Sequence, residues 1–300
     1  MLTLVPYVLA SQGTMLAGRA GIFNVSQEGI MLAGASVGFL GAYLSGGNLL
    51  QGLVLATVTG ALFGLALAYF TTTLKMDQFV VGLALFFIGL AISTLLYRLA
   101  VGVTLTPPLI PTLREIALPG LSHIPVVGEI VFRQNVLVYG AIVLSLILYL
   151  FLYTSGPGLA LRAVGEHPMA ADSLGVNVPV VRYVATVVGG MLIGLAGAYL
   201  PMVYTATFTD GIVRGRGWLS IALTFFGGWS PHLIFFGALF FAAVEVLAFR
   251  VQVTGIGVPY QVILMLPYLA TMAVMMPTFR RLQIPAFLGK NYDRERRMLL

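Results

Sequence analysis

The chain has 300 residues, of which 59% are hydrophobic and only 9% charged, with a formal net charge of +6 and no cysteine. Disulfides, thiol chemistry and Cys-based metal sites are therefore excluded, and the mean hydropathy of +0.99 excludes an ordinary water-soluble domain. The positive balance is read as basic ends on the cytoplasmic side of a membrane protein rather than as nucleic-acid affinity.

Apolar runs recur near the roughly 20 residues that a helix needs to cross a bilayer, and they are unbroken rather than alternating, which predicts helices and not a β-barrel. The expected fold class is all-α, a polytopic membrane protein with spans near 2–18, 29–45, 50–74, 79–98, 135–153, 180–203, 217–229, 233–250 and 258–277. No Lys or Arg precedes Arg19, so the start lacks the basic region of a secretory signal and reads as a short first span. The seventh run is short and flanked by Gly215, Gly217, Gly227, Gly228 and Pro231, as a half-helix or re-entrant element would be. Counting it as crossing gives nine spans, and as re-entrant, eight.

The tail at 280–300, with Arg280, Arg281, Lys290, Arg294, Arg296 and Arg297, anchors the orientation inside, together with Lys75 and the loop at 156–178. The segment at 99–134 then lies outside. Its prolines 107, 108, 111, 119 and 125, with Arg114, Glu115, His123 and Glu129, predict turns and short helices, a cap over the helix ends or a seat for a soluble partner. Residues 1–279 are expected to form one transmembrane domain, and the N-terminal orientation stays open.

Enzyme chemistry fails on inventory. His123, His167 and His232 are far apart and never in metalloprotease spacing, no nucleophile elbow is present, and Gly289-Lys290 is followed by Asn291 and lacks a P-loop. No catalytic residue, metal site or ATP-hydrolysing site is expected in this chain.

Two polar constellations remain. Arg162, Glu166, His167 and Asp172 crowd a loop between two apolar helices, where they are placed to meet a soluble partner. Asn24, Ser26, Gln27 and Glu28 precede the second span, whose Gly29, Gly34 and Gly38 allow close approach of a neighbouring helix. A carboxylate at membrane depth is costly, so Glu28 sits at the water boundary, pairs with a donor such as Arg19, or lines a wet cavity. Asn24 and Ser26 fit helix capping and a pathway role equally. Glu245, a further intramembrane carboxylate, reads first as a partner of Arg250, and Phe225, Phe226 and Tyr204 read first as apolar packing.

The run from Gly21 to Ala35 resembles the GxxNxGxEGxMLxGA signature of permease subunits of bacterial and archaeal ABC importers, in the branched-chain amino acid, ribose and nucleoside permease superfamily. Ala163–Ala171 is similar to the AVGENPxAA of the same family, and Asp77–Gly82, Gly194–Tyr199 and Gly215–Trp218 with Phe226–Pro231 add matches in order. The closest likeness is to the shorter permease of simple sugar and nucleoside uptake systems. Ser26 departs from the usual Gly, and His167 from the usual Asn.

The resemblance implies a permease fold in the plasma (inner) membrane of a bacterium or archaeon. It implies that Arg162, Gly165, Glu166, His167, Pro168, Ala170, Ala171, Asp172 and Gly175 form a coupling segment for a separate ATPase, which binds the ATP and Mg that this chain does not. Pro168 would start a short helix, Ala170, Ala171 and Gly175 would offer it a small docking face, and Glu166 would suit its dipole. Asn24, Gln27, Glu28 and Gln78 would wet a path for a neutral polyhydroxylated solute. Further partners implied are a second, longer permease and an extracytoplasmic substrate-binding lipoprotein, with lipid around them and no nucleic acid. The alternatives are an ion-gradient-driven transporter using Glu28 and Glu245, and an intramembrane enzyme, which the missing nucleophile and metal constellations disfavour.

Overall fold

The computed structural model describes residues 2–102, 106–117, 132–253, 265–266, 269–270, 273 and 284–293. Most of the span expected at 258–277 lies outside them, as do His123, Glu129, Pro119, Pro125 and the tail arginines 280, 281, 294, 296 and 297.

Helix α1 (Leu4–Arg19) is buried at every residue, and α2 (Gln27–Leu44) at nearly every one. Around them lie α3 (Leu49–Ala68, continued by a π-turn to Thr73), α4 (Gln78–Val101), α5 (Val136–Thr154), α8 (Val178–Tyr199, continued by a π-turn to Thr205) and α10 (Pro231–Val253). These five are long and apolar enough to cross a membrane. Between them come α6 (Gly156–Glu166), α7 (Pro168–Ser173) and the half-helix α9 (Arg216–Phe226). Strands β1 (Glu115–Ala117) and β2 (Arg133–Asn135) pair antiparallel beside the start of α5, with Glu115 opposite Asn135.

Local chemistry explains the helix starts. The side chains of Asn48, Asp77, Asn135, Ser155 and Asn177 each accept a backbone N–H from the first turn that follows, satisfying donors that an apolar run cannot. Packing explains the rest. α8 sits centrally because it is nearly smooth: Gly190 and Gly194 lie on Gly60 and Gly64 of α3, and a Cβ at any of these four would strike a backbone carbonyl across the seam. Paired small-xxx-small faces of this kind let helix backbones touch where lipid supplies no hydrophobic drive.

On the outer faces, Val54, Val58 and Leu62 of α3, and Phe87, Leu95 and Leu99 of α4, are exposed. Such a surface suits lipid or another apolar protein. The α6–α7 hairpin and the α3–α4 turn occupy one end of the bundle. The 106–117 segment occupies the other, where the Ile110 N–H donates to Ala206 (2.8 Å) and the Leu113 N–H to Met202 (3.0 Å). Helix α1 runs towards the hairpin end, since Arg19 at its C-terminus lies against Gly165.

Candidate functional site

The half-helix α9 has 11 residues, about 16 Å at 1.5 Å per residue, which cannot cross about 30 Å of hydrocarbon. Its first amides need partners, and Glu28 supplies them from α2: the carboxylate accepts the Gly215 N–H (2.8 Å) and the Gly217 N–H (2.7 Å). Two glycines permit this. Gly215 has φ of 79°, and a Cβ on Gly217 would lie 2.6 Å from the backbone of Glu28. At the other end Arg19 donates from Nε to the Trp229 carbonyl (2.8 Å) and from a terminal nitrogen to that of Gly228 (3.4 Å). An anion thus holds the positive end of the helix dipole and a cation the negative end.

Along its length α9 is stitched to α1, because Ser11 donates to the Ser220 carbonyl (3.0 Å) and Thr224 donates to the Ser11 carbonyl (3.0 Å). Glu28 thus finds its donors in the backbone of α9 rather than in Arg19. Glu245 pairs with Arg216 at 2.6 Å, both side chains largely buried, rather than with Arg250. Arg216 is thus held in an ion pair within the bundle.

The other predicted pathway residues are buried as well: Asn24, Gln27 and Gln78 expose 2% or less. Asn24 accepts the Ser26 N–H (2.9 Å) and hydroxyl (2.6 Å), a turn that sets the start of α2. Gln78 accepts the Phe23 N–H (2.7 Å) and donates to the Lys290 carbonyl (3.3 Å), tying α4 to the α1–α2 link. Both amide atoms of Gln27 lack a hydrogen-bond partner. Asn24, Glu28 and Gln78 thus spend their polar atoms on the fold itself.

At the hairpin end, Ser155 caps α6, and Pro168 begins α7 as the sequence predicted. The nine residues of the expected coupling segment divide. Gly165 is buried against the Arg19 carbonyl, Pro168 is buried, and Ala171 packs with Val164, Val178 and Tyr292. Glu166 accepts the Ala286 N–H (3.1 Å), and the Arg162 guanidinium lies 5.0 Å from the Tyr153 ring centre. Asp172 lines a cavity of about 460 Å³ with Thr72, Lys75, Asn177, Tyr292 and Asp293.

His167, Ala170 and Gly175 are exposed. Beside them stand Met169 at 42% and Leu174 at 85% exposure, apolar side chains that the sequence reading passed over. Gly175 (φ 85°) closes α7, with the Val176 N–H reaching back to the Ala171 carbonyl (3.1 Å). The tip of the hairpin thus leaves Met169, Ala170 and Leu174 uncovered, while its other face packs on the bundle. Sequence reasoning also missed Arg19 as the half-helix clamp, although an arginine closing an apolar span was itself a signal.

A helical membrane bundle holding a broken helix by its ends, with a stiff hairpin set apart from the spans, has the layout of a membrane transport subunit. Residues 1–275 match the family described as branched-chain amino acid transport system / permease component, and the chain belongs to that family. It is 30% identical to the guanosine ABC transporter permease protein NupQ of Bacillus subtilis, over 97% of this chain and 94% of that one. It is 32% identical to the nucleoside ABC transporter permease protein NupC of Lactococcus lactis, over 96% and 93%. It is 31% identical to TsgC13 of Haloferax volcanii, provisionally named a glucose ABC transporter permease, over 96% and 94%. No solved structure matches it significantly. A permease component of an ABC system works in the plasma membrane as a multi-pass protein, with an ATPase and a binding protein as partners, and is not itself an enzyme.

Proposed function

We propose that this chain is the permease subunit of an ATP-driven importer for a nucleoside or a simple sugar, and that the α6–α7 hairpin is where the ATPase docks. The observation that carries the reading is the exposed apolar tip, Met169, Ala170 and Leu174, on a hairpin whose opposite face is buried. Uncovered apolar side chains on a rigid water-side projection are a docking surface. Gly165, seated on Arg19, continues the path from the tip to the clamp on α9, so a pull on the hairpin reaches the half-helix. The names of the relatives support nucleosides and sugars as cargo. The bare apolar faces of α3 and α4 support a second permease, a longer relative, beside it. The segment at 99–134 is the seat for a substrate-binding lipoprotein.

An ion-gradient mechanism finds little to use. Glu28 accepts two backbone N–H groups and Glu245 is paired with Arg216, so each carboxylate already has a donor.

The test is uptake of labelled guanosine and glucose into proteoliposomes holding this permease with its ATPase, second permease and binding protein. Uptake should require ATP on the hairpin side and survive collapse of proton and sodium gradients. Leu174→Asp should weaken ATPase binding about tenfold or more, since an anchor of that size is worth about 1.5–3 kcal/mol. Gradient-driven uptake without ATP would overturn the reading.

A further inference from the structure

Residues 284–293 form neither helix nor strand, yet they reach nearly every element at the hairpin end of the bundle. At one end the Ala286 N–H donates to Glu166 (3.1 Å) and the Phe287 N–H to the Gly165 carbonyl (2.9 Å). In the middle the Gly289 N–H donates to the Gly21 carbonyl (3.2 Å), and the Lys290 carbonyl accepts from both Gln78 (3.3 Å) and Arg182 (3.2 Å). At the far end the Asn291 amide donates to the carbonyls of Lys75 (2.6 Å) and Met76 (3.1 Å), and Asp293 lies 2.8 Å from the Lys75 ammonium.

A solvated tail needs none of these contacts, because water would satisfy its backbone groups. The anchors also fall at informative places. Lys75 has a left-handed backbone (φ 55°) at the turn between α3 and α4, a strained position for a residue with a Cβ, and Asn291 holds its carbonyl. Arg182 of α8 is 1% exposed, and it meets the Lys290 carbonyl and the Phe287 ring (5.6 Å). Tyr292 packs under α7 against Ala171 and Val164.

We propose that residues 285–293 are a transmission strap: the segment carries displacement of the α6–α7 hairpin to the α3–α4 turn and to the adjoining ends of α4 and α8, with Asn291 and Asp293 as positioning residues. Directional hydrogen bonds at both ends make hairpin, strap and turn move as one body. The inference rests on the hairpin being the ATPase dock, and the experiment keeps the two apart.

The chain lacks cysteine, so spin labels can be set at Ser173→Cys on the hairpin and Phe79→Cys at the start of α4, both exposed positions. Their separation is measured by pulsed electron resonance in the complex with the ATPase, with ADP and with ATP plus vanadate. The strap predicts one unchanged distance in both states. It further predicts that Asn291→Asp, which sets a carboxylate against two carbonyls, and Lys75→Asp, which repels Asp293, each make the distance nucleotide-dependent. The charge swap K75D/D293K should restore the single distance, a rescue that lost folding would not give. A nucleotide-dependent distance without the strap substitutions, or a constant one in both N291D and K75D, overturns the strap. Failure of the unaltered chain to bind any ATPase would instead overturn the docking role of the hairpin.

Discussion

Glu28 and Arg216 show what a charge is for inside this bundle. Glu28 is shielded from solvent and yet anionic chemistry suits it, because two convergent backbone N–H groups replace the water it gave up. Hydrogen bonds to a charged group contribute about 1.5–3 kcal/mol, so Glu28→Gln, which turns one acceptor into a donor facing an N–H, should destabilise by about that much. A lower melting temperature in detergent, with loss of uptake, is the expected result. Arg216 and Glu245 follow a different rule. Removing one partner of a buried pair costs about 3–5 kcal/mol because the other charge is stranded, whereas replacing both with apolar residues of similar volume can be neutral. Arg216→Met alone should therefore melt well below the double variant R216M/E245M. If the double variant is instead as unstable as the sum of the singles, the coupling energy is zero and neither charge is stranded by loss of the other.

At the scale of elements, the described helices fall within a few residues of where apolar runs placed them, since that signal is local. The start of α4 at Asp77 and that of α8 at Asn177 could be read from neighbours alone. The half-helix was legible too, from its flanking glycines and short run. Its clamps were not. Glu28 lies 187 positions from Gly215, and Arg19 lies 210 from Trp229, and no periodicity within one segment encodes pairing across such distances. For the same reason the hydrogen bonds of Gln78 to Phe23 and the strap could not be read from its neighbours. The sorting of the expected coupling segment into buried Ala171 and exposed Ala170, and the exposure of Met169 and Leu174 beside it, also waited on the fold, because a six-residue helix shows little about which side the bundle covers. The α3–α8 seam carries its own prediction. Gly194→Leu would force α8 off α3 where the Ala56 carbonyl leaves no room for a Cβ, and such overpacking costs about 1–3 kcal/mol or more. Yield of folded, monodisperse protein should drop, while a Leu at exposed Gly140, which has open space around it, should leave it unchanged.

The whole molecule is polarised, and that polarity decides which partner sits where. One end carries the hairpin, the strap and the cations Lys75, Arg162, Arg182 and Lys290; the other carries the β1–β2 pair, the loop seated on Ala206 and Met202, and Arg98 and Arg133, which pair with Asp210 and Glu115. On the proposed reading, the positive-inside tendency of the arginine-rich tail that follows the strap in sequence puts the first end in the cytoplasm with the ATPase and the second outside with the binding protein. The absence of cysteine makes this directly measurable. Leu109→Cys replaces a side chain 72% exposed at the second end, and Ser173→Cys an exposed one on the hairpin. A membrane-impermeant maleimide applied to intact cells should label position 109, and position 173 only after permeabilisation. The docking reading adds one condition: the ATPase, bound to the hairpin, should slow labelling at 173 in permeabilised membranes and leave position 109 untouched. Labelling of 173 in intact cells would place the hairpin outside, out of reach of ATP, and the proposed coupling could not operate.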